Sequence, residues 1–74
     1  MLIIQHMEKE QFIEILRKHG LKSEELKRFD TFKISINQKF NKIRNELKTR
    51  HPEELTFFEE LVNNKPTLIE LLEK

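Results

Sequence analysis

An all-α fold, a small single-domain bundle of three to four helices around one long central helix, is predicted by three observations. Between residues 23 and 50, Leu26, Phe29, Phe32, Ile36, Phe40, Ile43 and Leu47 recur at spacings of three and four, which places them on one helical stripe. The chain has one Gly and two Pro, all at positions that bound helices instead of interrupting them. Its 74 residues, 36% hydrophobic and 36% charged, allow one domain with one modest core.

The first helix is expected over residues 8–19. Acidic residues fill its first turn and Arg17, Lys18 and His19 its last, an arrangement that suits the helix dipole. Phe12, Ile13, Ile15 and Leu16 form its core face, and Gly20 can take the left-handed conformation that ends a helix. Leu21-Lys22-Ser23-Glu24-Glu25 reads as a restart, with Ser23 as N-cap, two Glu in the first turn and Leu21 packing back across the cap.

The second helix has two readings. Phase continuity of the apolar stripe favours one helix running to about Arg50. The alternative breaks it near Asp30 and Thr31 and restarts it after Ser35, where Ser35-Ile-Asn-Gln38 matches a capping box. The alternation of Phe32, Ile34 and Ile36 offers a third option, a short strand. Pro52 then disfavours helix at His51 and suits the first turn of a third helix over residues 52–63, which buries Leu55, Phe58, Leu61 and Val62. Asn63 and Asn64 stop it, and Pro66 opens a last short helix through Leu72. Residues 12–16 and 68–72 share a pattern of two apolar residues, Glu, and two apolar residues, so both helices carry broad apolar arcs.

The absence of Cys fits a reducing, cytoplasmic setting. The apolar run of residues 1–4 is far too short to span a membrane. Met7 opens a second, more soluble-looking start, which marks residues 1–6 as an extension expected to fray unless Leu2, Ile3 and Ile4 dock on something. So small a core, with no disulfide or metal staple, needs efficient helix formation, a partner or self-association. A homodimer through the central segment is expected, because seven large side chains along about 40 Å of helix exceed what two short helices can cover.

The net charge of +1 hides an uneven distribution. Residues 21–52 hold nine Lys or Arg against four Asp or Glu, whereas residues 53–74 hold two against six. A basic centre and an acidic tail can serve packing within the chain, head-to-tail association, or an anionic partner for the centre.

Nothing in the sequence assembles a catalytic or metal site. His6, His19 and His51 are far apart and lack the helical spacing that aims two ligands at one metal. Glu53 with Glu54, and Glu59 with Glu60, are adjacent and so about 100° apart on a helix, which prevents a shared-proton dyad. Ser23 and Ser35 are better explained as caps than as nucleophiles, and one Gly cannot build a phosphate loop. The expectation is a non-enzymatic protein with no cofactor and no small-molecule substrate.

Two surfaces remain as candidates. Phe57 and Phe58 are neighbours and cannot both enter one core, so Phe57, together with Leu68, Ile69 and Leu72 of the last helix, is the candidate surface for a protein partner or a second copy. Leu68-Ile-Glu-Leu71-Leu72 also has the spacing of helices that dock into coactivator grooves, though any Leu-rich core helix produces it. The alternative is DNA binding by a helix over residues 36–50. There Asn37, Asn41, Arg44, Asn45 and Lys48 share one flank, and Asn, Arg and Lys suit base edges and phosphates. Under the broken-helix reading, a short helix over 24–30, a turn over 31–34 and a helix over 36–50 have helix-turn-helix order. Against it stand a turn without Gly and the acidic tail. The preferred reading is a small regulatory or adaptor protein that acts by protein binding.

Overall fold

A computed structural model describes residues 8–73 of the chain. The helices are α1 Lys9–Lys18, α2 Ser23–Lys27, α3 Phe29–Arg50, α4 Leu55–Val62 and α5 Lys65–Glu73, with a 3-10 turn at Pro52–Glu54 between α3 and α4. Among the described residues there is no strand, and the protein is a small all-α domain built on the long α3. The expectations for residues 1–6 lie outside the described residues.

Gly20 ends α1 as its sequence position requires. It adopts φ +84°, donates its N–H to the Arg17 carbonyl at 2.8 Å, and lets Leu21 N–H reach the Leu16 carbonyl at 3.1 Å. These two bonds form a Schellman motif, and the buried pair Leu16 and Leu21 supplies its apolar contact. The restart comes one residue earlier than expected: Lys22 is the cap residue, Ser23 is the first residue of α2, and no side-chain cap bond forms. Glu24 and Glu25 still occupy the first turn, where the dipole favours carboxylates.

The favoured single helix from residue 24 to 50 is two helices. Arg28, at φ −115° and ψ 45°, separates α2 from α3, and Phe32, at φ −107° and ψ 19°, kinks α3. Neither Pro nor Gly is responsible. The run Phe29-Asp-Thr-Phe32 has weak helix propensity, so a departure there costs little. The break also lets α2 fold onto α5 as well as α3, with Lys27 paired to Glu73 at 2.6 Å and Leu26 in the core. The expected break at Asp30 and Thr31 is displaced to either side of them, and Ser35 lies exposed inside α3, capping nothing. The strand reading of residues 32–36 is replaced by helix. Phe32 and Ile36 then share a face, while Ile34 is rotated about 200° away and stands 77% exposed.

His51 closes α3, its N–H bonded to the Leu47 carbonyl at 2.7 Å, and Pro52 begins a 3-10 turn that passes into α4. The core joins Phe12, Ile13 and Leu16 of α1 to Ile36, Phe40, Ile43 and Leu47 of α3, Phe58 and Leu61 of α4, and Leu68 and Leu72 of α5. Phe29, Phe32, Ile15, Leu55 and Val62, expected inside, are only partly buried at its margin. Because the α3 stripe from Ile36 to Leu47 is at most 1% exposed, it is covered within one chain. This part of the stripe therefore needs no second copy to cover it, while Phe29 and Phe32 at its start are only partly buried.

Candidate protein-binding site

Successive residues on a helix point about 100° apart, and on α4 this separates the two neighbouring Phe side chains. Phe58 is fully buried and meets Phe40 edge-on, with ring centroids 5.8 Å apart and planes at 78°. Phe57 is 44% exposed and leans on Phe12 of α1, with centroids 5.2 Å apart. Both separations fall in the range where aromatic pairs attract beyond simple area burial. Phe57 thus forms one wall of a groove of about 390 Å³ whose other walls are Lys9, Phe12, Glu54 and Leu71. The groove continues toward Leu61, Thr67 and Glu70.

The rest of the expected docking surface does not lie there. Leu68 is fully buried and Leu72 is 7% exposed, because both face the core of their own chain; Ile69 is partly buried against that core. The α5 residue that reaches the groove is Leu71. Phe12 and Leu71 were both legible as members of the two broad apolar arcs over 12–16 and 68–72. What the pattern lacked was the information that these arcs meet across Phe57.

The polar flank of α3 is only partly available. Asn37, Asn41, Asn45 and Lys48 are exposed. Arg44 is instead tied to Glu59 of α4 through Nε and Nη2, at 2.5 and 3.0 Å from the two carboxylate oxygens, and its Nη1 donates to Asn41 Oδ1 at 2.8 Å. A guanidinium already forked onto a carboxylate cannot fork onto guanine at the same time. The helix-turn-helix arrangement is also absent: α2 has five residues, one residue joins it to α3, and the expected turn over 31–34 is inside α3. Together with Lys27 to Glu73, the Arg44 pair shows that part of the contrast between basic centre and acidic tail is consumed in holding the tail onto the centre.

A second polar cluster fastens α1 to α3. Lys18 Nζ and His19 Nε2 both lie 2.8 Å from Glu46 Oε1, so His19, at the C-terminus of α1, donates to a carboxylate on α3. The Lys18 ammonium first, and then the His19 ring, hold the Glu46 carboxyl below its ordinary value. The hydrogen bond from Lys39 Nζ, at 2.7 Å, likewise lowers that of Glu25. Arg17 Nη2 donates to the Leu72 carbonyl at 3.1 Å, closing α1 onto the end of α5. Every buried side-chain N or O among the described residues has a partner. Among the same residues no three His, Asp or Glu side chains converge to hold a metal ion, and no helix is long and apolar enough to cross a membrane. His6 lies outside the described residues.

Compared with protein-family models, curated proteins and solved structures, the chain matches none of them.

Proposed function

We propose that this protein is a small, non-enzymatic, cytoplasmic regulatory or adaptor protein that acts by binding another protein at the groove between α1, α4 and α5. The observation that carries this reading is Phe57: a large aromatic side chain held 44% exposed on a helix, its ring braced by Phe12 beside an apolar groove. Burying such a braced ring costs little side-chain entropy and removes a large apolar area from water, which is the property of interface anchors. The reading places Phe57 at the centre of the site and assigns Leu68 and Leu72 to the scaffold that holds it. A second copy of the chain would use this same face, since the α3 stripe is already covered.

The test is site-specific photo-cross-linking in cells. A photoreactive phenylalanine analogue at position 57 should give a discrete protein adduct, and the same analogue at position 37, on the exposed flank of α3, should give none. Adducts at position 37 alone would move the site to α3.

DNA binding stays as the second reading on one observation, the exposed row Asn37, Asn41 and Asn45 at one-turn spacing, followed by Lys48. Its measurement is molar mass with and without duplex DNA. A salt-sensitive increase that Asn41→Ala with Lys48→Glu, both at exposed positions, abolishes would establish it in place of the protein reading.

A further inference from the structure

Two large apolar side chains stand exposed among the described residues, Ile34 and Phe57. The cavity beside Ile34 is lined by α3 alone, whereas the groove beside Phe57 takes in Lys9 and Phe12 of α1. Lys9 is the first residue of α1 and borders both parts of that groove. Glu8, just before it, is extended at φ −64° and ψ 147°, and its side chain makes no cap bond. The chain that leads into α1 therefore joins the fold at the wall of the Phe57 groove.

That leading stretch holds Leu2, Ile3 and Ile4 in a row, side chains that gain by leaving water. At up to about 3.5 Å per residue, Ile4 stands no more than about 17 Å from Lys9, so the run stays within reach of the groove that Lys9 borders. The groove floor, made by Phe12, Phe57 and Leu71, is apolar too. Its volume of about 390 Å³ is at the small end of ligand-sized cavities and accepts a few aliphatic side chains, whereas a whole helix, about 10 Å across, does not sink into it. We propose that residues 2–4 of the chain itself cover Phe57 in the free protein and are displaced when the partner binds, an assignment that rests on the protein-binding reading above and adds its regulation. Because so short a tether gives an effective concentration on the order of millimolar, weak apolar contacts suffice to close the groove. A partner then meets the open form only as often as it is populated, and its apparent affinity falls by that fraction.

The test places a fluorinated phenylalanine at position 57 of the full chain and follows its fluorine resonance with a neutral gadolinium chelate in solution. Relaxation by the chelate should be weak in the parent and rise about threefold or more in Leu2→Ser with Ile3→Ser and Ile4→Ser, as expected when the groove is covered about two thirds of the time. In cells, the cross-linked adduct at position 57 should increase by a similar factor in the triple variant. Equal relaxation in the two chains overturns the proposal and leaves Phe57 open to a partner. Protection that disappears on dilution also overturns it, and assigns the cover to a second copy. An adduct whose yield ignores the triple change overturns the regulation while the protein-binding reading stands. Protection lost in the variant, with no adduct in either chain, overturns both and makes residues 2–4 a fixed part of the fold. Loss of helical circular dichroism in the triple variant overturns the proposal too, since a displaceable cover is not required for folding.

Discussion

Arg44 on α3 and Glu59 on α4 form a forked ion pair, with two guanidinium nitrogens on the two oxygens of one carboxylate. The pair joins the basic centre of the chain to its acidic tail and removes from the surface the one Arg that a DNA-reading α3 would need on that flank. Both side chains are about a third or more exposed, so solvent screens the attraction. A double-mutant cycle with Arg44→Ala and Glu59→Ala should return a coupling of about 0.5–1 kcal/mol. It should shrink in high salt. Coupling indistinguishable from zero in low salt would remove the pair from the account of how α4 is held.

Phe40 and Asn41 are adjacent on α3 and should respond in opposite ways. Phe40 is 1% exposed and meets Phe58 edge-on, so Phe40→Ala should cost about 3–5 kcal/mol. Against a total of about 4–11 kcal/mol for a chain of this size, that loss brings the domain close to unfolding. Asn41→Ala should stay within about 0.5 kcal/mol, because the lost exposed hydrogen bond from Arg44 is offset by better helix propensity. Urea denaturation of the two variants checks both. An unshifted midpoint for Phe40→Ala would refute the assigned face of α3.

Gly20 is the one position where the backbone itself demands its residue. At φ +84° a Cβ is strained, and it would also meet Lys39 Cε at 3.4 Å, while Lys39 is held in place by Glu25. Gly20→Ala should therefore destabilise by about 1 kcal/mol, and Gly20→Asn by less, since Asn visits the left-handed region more readily. Thermal melts of the three proteins should fall in the order Gly, Asn, Ala.

Acid should loosen the clasp between α1 and α3. The Glu46 carboxyl is held below its ordinary value by Lys18 and His19, so the folded form binds its proton less readily than the unfolded chain. Its contribution is present above the unfolded value of about 4.3 and disappears as pH falls through the lower folded value. Glu46→Gln should be less stable than the parent at pH 7, and the two should converge as pH falls through the lowered folded value. A gap that stays constant from pH 7 to pH 3, in urea midpoints, would show that the carboxylate charge is not what holds the clasp.

Ile34 and Ile36 make the same point about position without chemistry. Ile36→Ser places a hydroxyl in a fully buried site and should cost several kcal/mol, about 3 as a rough figure. Ile34→Ser, at a 77% exposed site, should change the melting midpoint little, within about 0.5 kcal/mol. Equal losses would refute the assignment of Ile36 to the core and Ile34 to solvent.

Periodicity and local punctuation were enough for much of this molecule. The three-and-four spacing of Ile36, Phe40, Ile43 and Leu47 identifies α3 and its buried face, Gly20 ends α1, Pro52 ends α3, and the adjacency of Phe57 and Phe58 requires one of them to face outward. Each of these depends on residues within about one helical turn, where backbone geometry alone is decisive. The break at Arg28, the burial of Leu68 and Leu72, the capture of Arg44 by Glu59 and the meeting of Phe12, Phe57 and Leu71 depend on elements far apart in the chain. Residues 23–50 keep an unbroken apolar phase, and the local signals for a break, Asp30 with Thr31 and the capping-box match at Ser35, do not mark Arg28. It occurs at Arg28 because α2 has α5 to pack against, and burying Leu26 and pairing Lys27 with Glu73 outweigh the lost helical continuity. The flank of α3 is a row of polar residues until α4 brings a carboxylate beside it, and the groove does not exist until α1, α4 and α5 enclose it. Side-chain chemistry sets what each residue can do, and packing between distant segments decides which of those possibilities is used, because burial and ion pairing are properties of neighbours in space.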